Sequence, residues 1–290
     1  MDIQQLGDLK TELGECPVWH GQQLWLLDCR AGVVYALDPD TGAITARHEV
    51  PPPLGSFAFN RDGRIVLALK EAIAMLDPGN GQLRTLARLD VSHPDLRLND
   101  GTSLPDGSFV VGTMHPFLSA GEAPLGGLYR LDTELQLHKL EEDLVITNGP
   151  GVNPINGRLH VADSARKIIY SYAMAADGTL ADKQIFVRTD AQGSGPDGCC
   201  FDNEGGLWTA LVRAGALARF DLQGKLTHKI DLPLTYPSAL CFGGPAMADL
   251  FVTSIRNSGR LSASGPLDGA VLKVTGLGFQ GSARPLCRMP

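Results

Sequence analysis

The sequence predicts an all-β protein folded as a six-bladed β-propeller, and three observations carry that prediction. Helical periodicity is nearly absent. Short runs of Val, Leu, Ile and aromatics are broken every few residues by Gly, Pro, Asn or Asp, the pattern of short strands and tight turns. These runs recur in one fixed order, six times, at the 40–50-residue period of four-stranded blades.

Each unit reads as a lead strand, a Gly-containing turn, a second strand, a third strand ending near an Asp, and a fourth strand. The second strands follow the turns His20-Gly21, Asp62-Gly63, Asp106-Gly107, Asn156-Gly157, Glu204-Gly205 and Ala248-Asp249. The third strands read Val33–Asp38, Ile73–Asp77, Gly127–Asp132, Ile168–Tyr172, Ala216–Asp221 and Ala270–Val274. Lead positions near Glu15, Ser56, Asn99, Asn148, Asp197 and Ser238 are spaced by 41, 43, 49, 49 and 41 residues. One blade cannot bury its own sheet, so the six are expected to pack as a single domain over residues 1–290. The N-terminal segment 3–9 is expected to pair beside strand 270–274 and close the ring, hiding a sheet edge.

The composition fits a soluble globular chain. Apolar residues make up 43% and charged residues 20%, which excludes a disordered chain. The net charge of −7 argues against nucleic acid or an anionic membrane as partner. There is no run of 18 apolar residues to cross a membrane, and Met1-Asp2-Ile3-Gln4-Gln5 does not resemble a signal peptide. Six cysteines, at 16, 29, 199, 200, 241 and 287, lack zinc-finger or redox spacing, so reduced thiols and a cytoplasmic location are expected. A monomer is the expected state.

In a propeller the innermost strands line a central channel, so equivalent positions of the repeat form a ring. Here that ring is Glu15, Ser56, Asn99, Asn148, Asp197 and Ser238, every member carrying a side-chain oxygen. Two carboxylates at one level of a channel repel, and a bound cation resolves that cost. Glu15, Asn148 and Asp197 offer oxygen ligands suited to one divalent ion, whether calcium, zinc, manganese, magnesium or iron(II). The alternative is that Asn148-Gly149 and Asp197-Gly198 are turns. Arg97 is placed at the channel mouth, as a donor fork for an oxygen-rich ligand or as one half of a surface ion pair. His115 follows the strand 109–114 and is a further candidate at the mouth. Cys16 and Cys199 read as small core fillers, and Trp19, Trp25 and Trp208 as blade packing.

Several motifs also resemble the gluconolactonase and senescence-marker-protein (regucalcin-like) family. They are Leu13-Gly14-Glu15-Cys16-Pro17-Val18-Trp19, Arg97-Leu98-Asn99-Asp100-Gly101, Gly112-Thr113-Met114, Gly127-Leu128-Tyr129-Arg130, Ile146-Thr147-Asn148-Gly149-Pro150 and Pro196-Asp197-Gly198. They run in family order from residue 13 to about 275. Among family members the chain looks most like bacterial sugar-acid lactonases such as xylonolactonase and arabinolactonase. The resemblance implies a six-bladed propeller, one divalent metal on Glu15, Asn148 and Asp197, and substrate contacts from Arg97 and Asn99. The family often places a Glu three residues after Gly-Thr-Met. Phe117 stands there in this chain, and Glu122, in the remodelled segment 116–125, is the candidate replacement.

The function expected from these readings is hydrolysis of a sugar lactone to its aldonic acid. The metal would act as a Lewis acid, and Asp197 would be either the general base or the orienter of a metal-bound hydroxide. The rival expectations are a metal-dependent esterase or phosphotriesterase with an apolar mouth around Phe57 and Phe117, and a non-catalytic calcium-binding propeller. The loops 51–57, 116–126 and 191–195 are expected to set specificity.

Overall fold

The computed structural model describes residues 1–118 and 121–290 and is a six-bladed β-propeller. The N-terminal strand β1 (Asp2–Gln5) precedes the first blade, which holds β2 (Gly14–His20), β3 (Gln23–Asp28), β4 (Val33–Leu37) and β5 (Ile44–Glu49). The second holds β6 (Ser56–Phe59), β7 (Ile65–Ala68), β8 (Ala72–Leu76) and β9 (Leu83–Arg88). The third holds β10 (Arg97–Ser103), β11 (Phe109–Met114), β12 (Gly127–Leu131) and β13 (Leu137–Glu142). The fourth holds β14 (Thr147–Val152), β15 (Leu159–Asp163), β16 (Ile168–Met174) and β17 (Leu180–Arg188). The fifth holds β18 (Pro196–Phe201), β19 (Leu207–Leu211), β20 (Ala216–Phe220) and β21 (Leu226–Asp231). The sixth is β22 (Pro237–Gly243), β23 (Asp249–Ser254) and β24 (Leu272–Thr275), completed by β1.

That completion is the expected clasp, in a slightly shifted segment. Asp2 to Gln5 pair antiparallel with Thr275 to Leu272, and Leu6 N–H donates to the Val271 carbonyl at 2.9 Å. Leu9 falls outside the strand, because Gly7 turns the chain at φ 61° where it packs against Gly42. The clasp pairs the edge of β24 that would otherwise be open.

Burial follows strand order. The inner strands β6, β14, β18 and β22 are mostly buried, while the outermost β5, β9 and β21 are largely exposed. The inner strands of successive blades contact one another in sequence, with β22 against β2, and so surround the axis. Between blades lie apolar layers, such as Leu27, Val34, Phe57 and Leu67 between the first and second. Acids after the third strands close the next turn: Asp38 Oδ1 accepts from Thr41 N–H at 2.8 Å and Asp77 Oδ1 from Gly79 N–H at 2.8 Å. Among the described residues no helix is long and apolar enough to cross a membrane, and all six thiols are free.

The C-terminal segment crosses one end of the channel. Asn203 N–H donates to Gln280 O at 2.7 Å, Cys287 N–H to Phe59 O at 2.8 Å and Arg288 N–H to Gly107 O at 2.8 Å. Arg284 on this segment lines a cavity of about 220 Å3 at that end, together with Trp19, Thr102, Cys200 and Cys241. The opposite end carries the polar site.

Candidate active site

Five of the six inner strands share one irregularity, and it sets the site. Where β2, β10, β14, β18 and β22 pair with their second strands, the register slips so that two residues oppose one. The bulged pairs are Cys16-Pro17, Asn99-Asp100, Gly149-Pro150, Asp197-Gly198 and Ser238-Ala239. A β-bulge breaks the ladder and re-aims side chains. Pro17 and Pro150 suit it because they have no N–H to leave unpaired. Cys16 and Gly149 take the left-handed backbone, at φ 48° and 52°. At Gly149 a Cβ would also lie 2.5 Å from Cys199 Sγ. Asn148 is therefore a paired strand residue beside the Gly149-Pro150 bulge, Asp197-Gly198 is itself a bulge, and the turn alternative does not hold. Asp106-Gly107 is a turn, with Gly107 N–H donating to Leu104 O at 2.9 Å.

The bulges bring Glu15, Asn99, Asn148 and Asp197 to one cavity of about 380 Å3, with Arg97 on its wall. Ser56 and Ser238, the remaining ring members, are fully buried and do not line it. Ser56 Oγ donates to Asn99 O at 2.9 Å, and Ser238 Oγ donates to Gly14 O, so both serines tie neighbouring inner strands together. Ser56 lies in the one inner strand whose pairing is regular.

Hydrogen bonds fix the amides. Asn99 Nδ2 donates to Thr147 O at 2.8 Å and to Asn148 Oδ1 at 2.7 Å. Asn148 Nδ2 donates to Ser164 Oγ at 2.8 Å, and Ser164 Oγ donates to Pro196 O at 2.6 Å. This chain sets which atom is oxygen at each amide, leaving Asn99 Oδ1 without a donor among the described residues. Asp28 and Asp163 end the second strands of the first and fourth blades and pin the entries to the site. Asp28 accepts from Glu12 N–H at 2.8 Å, and Asp163 from Val145 N–H at 3.1 Å.

The carboxylates are electrostatically frustrated. Glu15 is pushed well above its ordinary range by burial, then by the charges of Asp197 and Asp100, against a smaller lowering from Arg97. Asp197 is pushed up to about 8, by burial and then by Asp100, with the Gly198 N–H and Arg97 opposing. Asp100, also raised by burial, spends its two oxygens on the backbone N–H groups of Gly101 and Gly149, both at 2.8 Å. It contributes field at the site rather than a free ligand. Among the described residues no three His, Cys, Asp or Glu side chains form a metal cage. The donor set that could hold a cation is two carboxylates and one amide oxygen: Glu15, Asp197 and Asn148.

The other expected residues lie elsewhere. His115 is fully buried beneath the mouth and does not line the cavity, and its neighbour Met114 does. The His115 Nδ1 accepts from Leu125 N–H at 3.4 Å and its ring packs on His93, with centroids 4.8 Å apart. Glu122 is exposed and is not on the cavity wall. Phe57 is buried between blades, so it forms no apolar mouth, while Phe117 is 58% exposed. Sequence reasoning missed Ser164, Lys167, Arg213 and Arg260 on the cavity wall. Ser164 and Lys167 lie beyond β15, Arg213 beyond β19 and Arg260 beyond β23, and loops carry no repeat signal to locate them.

Fold and site together define the class: a six-bladed propeller enzyme whose acids and amides converge at one end of the central channel. The chain belongs to the SMP-30/Gluconolactonase/LRE-like family, whose model matches residues 13–256. It is 34% identical over 282 residues to a 6-deoxy-6-sulfogluconolactonase of Pseudomonas putida, covering 94% of each chain. It is 30% identical over 275 residues to a pentonolactonase of Haloferax volcanii, covering 91% of this chain and 88% of that one. To regucalcin of Xenopus laevis it is 30% identical over 281 residues, covering 94% and 93%. In fold it matches a calcium-binding regucalcin from Agrobacterium tumefaciens with a TM-score of 0.87, at 24% identity over 98% of each chain.

Proposed function

We propose that this lactonase-family enzyme hydrolyses a sugar lactone to its aldonic acid at the cavity of Glu15, Asn148 and Asp197, with one divalent cation held by those three side chains. The observation that carries the reading is the convergence of two mutually repelling carboxylates, one buried and one half-buried, and one clamped amide oxygen on one cavity. The donor chemistry fits a hard or borderline ion, because every available atom is oxygen. The relatives named as lactonases support the reaction class, and the regucalcin described as calcium-binding supports a divalent ion.

When bound, such an ion supplies Lewis-acid polarisation of the lactone carbonyl and stabilises charge developing on its oxygen. The protein's own groups do the rest. Asp197 accepts the proton of the water whose oxygen bonds to the lactone carbonyl carbon, and returns it to the ring oxygen as the ester C–O bond breaks, which releases the open-chain hydroxyl and the carboxylic acid. Burial and the charge of Asp100 raise the proton affinity of Asp197, and a cation beside it lowers that affinity and keeps it ionised, ready to accept a proton. Asn99 has committed both amide hydrogens to protein acceptors, so it meets the substrate through Oδ1, as acceptor for a ring hydroxyl. Arg97 spends Nη1 on Leu98 O at 3.0 Å and keeps its other donors for sugar oxygens. These contacts fix the ester over the acids.

The test is a panel of aldonolactones followed by pH indicator. Asp197→Ala is expected to abolish hydrolysis while keeping the β-sheet circular dichroism of the natural chain, and activity surviving that substitution would remove Asp197 from the reaction. A second reading rests on the apolar side wall of Met114, Ile146, Val212, Ile255 and Leu261. It favours a hydrophobic ester, and preference for aryl esters over every aldonolactone in the same assay would select it.

A further inference from the structure

The wall of this cavity is basic in a chain whose net charge is −7. Arg97, Lys167, Arg213 and Arg260 all line it. Arg97 faces the floor acids, where its charge lowers the proton affinities of both Glu15 and Asp197. The other three have no such employment. They take no part in the salt bridges found among the described residues, whereas Arg130, Arg158, Arg166 and Arg219 each hold a carboxylate. They come from three blades: Lys167 enters β16, Arg213 follows β19 and Arg260 follows β23.

Two of the three have visible support. The Arg260 guanidinium lies 5.3 Å from the centre of the Phe117 ring, a cation–π contact that holds it in place. Arg213 N–H donates to Ser194 Oγ at 2.8 Å, anchoring the backbone that presents its side chain. The guanidinium of Arg260 is pushed below its ordinary value by burial and by the charge of Arg213, so the two cations stand close enough to repel. Like charges gathered at a cavity mouth focus an attractive field on an anion, and guanidinium forks match the oxygens of phosphate or sulfonate.

Resting on the lactonase reading, we propose that Lys167, Arg213 and Arg260 form an anion subsite at the rim, and that the substrate is a sugar lactone carrying a tetrahedral oxyanion on its exocyclic carbon. The acids at the floor engage the ester while the rim engages the far end of the sugar. A substrate charged at that end is thereby held in one orientation, with its carbonyl toward Asp197.

The test is calorimetric binding of gluconate, gluconate 6-phosphate and 6-deoxy-6-sulfogluconate to the full-length protein, none of which requires turnover. The charged pair is expected to bind at least tenfold more tightly than gluconate, and Arg213→Ala combined with Arg260→Ala is expected to erase that ratio. Whichever of phosphate and sulfonate binds more tightly identifies the substituent. Equal binding of all three acids, or a ratio that survives the double substitution, overturns the proposal. The corresponding lactones are then compared by kcat/KM. Absence of hydrolysis with the binding ratio intact would count against the lactonase reading and leave the anion subsite standing, whereas hydrolysis with no preference for charge would do the reverse.

Discussion

Asn99 holds Asn148: its Nδ2 donates to Asn148 Oδ1 at 2.7 Å and to the Thr147 carbonyl at 2.8 Å. The bond joins the third and fourth blades on the cavity wall, where both residues lie, and fixes the Asn148 amide. Groups that orient a ligand typically contribute about 10–100-fold to metal affinity or activity. Asn99→Ala is therefore expected to weaken divalent-cation binding, read by calorimetric titration, and to lower kcat/KM by a factor of that order. Unchanged cation affinity would mean that Asn148 needs no clamp.

The acids make the cation-free protein sensitive to pH. Asp197 has its proton affinity raised from 3.8 to about 8 in the folded state. Between those values the folded chain binds more protons than the unfolded chain, so stability falls as pH rises. In the presence of chelator the unfolding temperature is expected to drop between pH 5 and pH 8. Asp197→Asn should flatten that slope and unfold at a higher temperature than the natural chain at pH 8, while being inactive. Added divalent cation should restore the natural chain at pH 8, since a ligand bound only by the folded state stabilises it.

A second titration lies away from the site. His160 on β15 is buried against Phe186 and Phe201, with ring centroids 4.7 and 5.3 Å away. Burial lowers its pKa from 6.5 to about 4. The unfolded chain takes up this proton first as pH falls, so stability should be lost between pH 6.5 and about pH 4, by roughly 3 kcal/mol at most. His160→Gln should remove this part of the acid-limb loss in denaturant titrations. An identical acid limb in the variant would show that His160 does not control it.

Ring closure can be tested by truncation. Removing residues 1–6 deletes β1, exposes the edge of β24 and empties the site of Leu6, which is 3% exposed. Loss of a buried Leu side chain alone costs about 2–5 kcal/mol. The truncated chain is expected to unfold several degrees lower and to self-associate through the open edge, seen by light scattering. A monodisperse truncated protein with unchanged unfolding temperature would contradict the clasp.

The repeat made the fold legible, because strand order and turn residues recur in every blade. It also made Glu15, Asn99, Asn148 and Asp197 of the cavity legible, since equivalent positions must meet at the axis. What the repeat could not convey was direction. Ser56, Ser238 and Glu15 occupy the same place in their blades, yet the short serine side chains bond to the carbonyls of Asn99 and Gly14 in the next inner strand and do not reach the cavity. His115 follows a strand end and so is a candidate for the mouth from sequence, but its side chain is buried, with the Leu125 N–H and the His93 ring packed against it. Lys167, Arg213 and Arg260 sit on connections of unequal length, where no period aligns them.

The most direct measurement is cation stoichiometry followed alongside lactone hydrolysis. Chelated protein is titrated with each divalent ion while turnover of the best aldonolactone is recorded. One ion per chain should bind, hydrolysis should rise in proportion to occupancy, and Glu15→Gln and Asp197→Asn should each lose both together. Full hydrolysis by the chelated protein, or tight binding by both variants, would contradict a cation held by Glu15, Asn148 and Asp197.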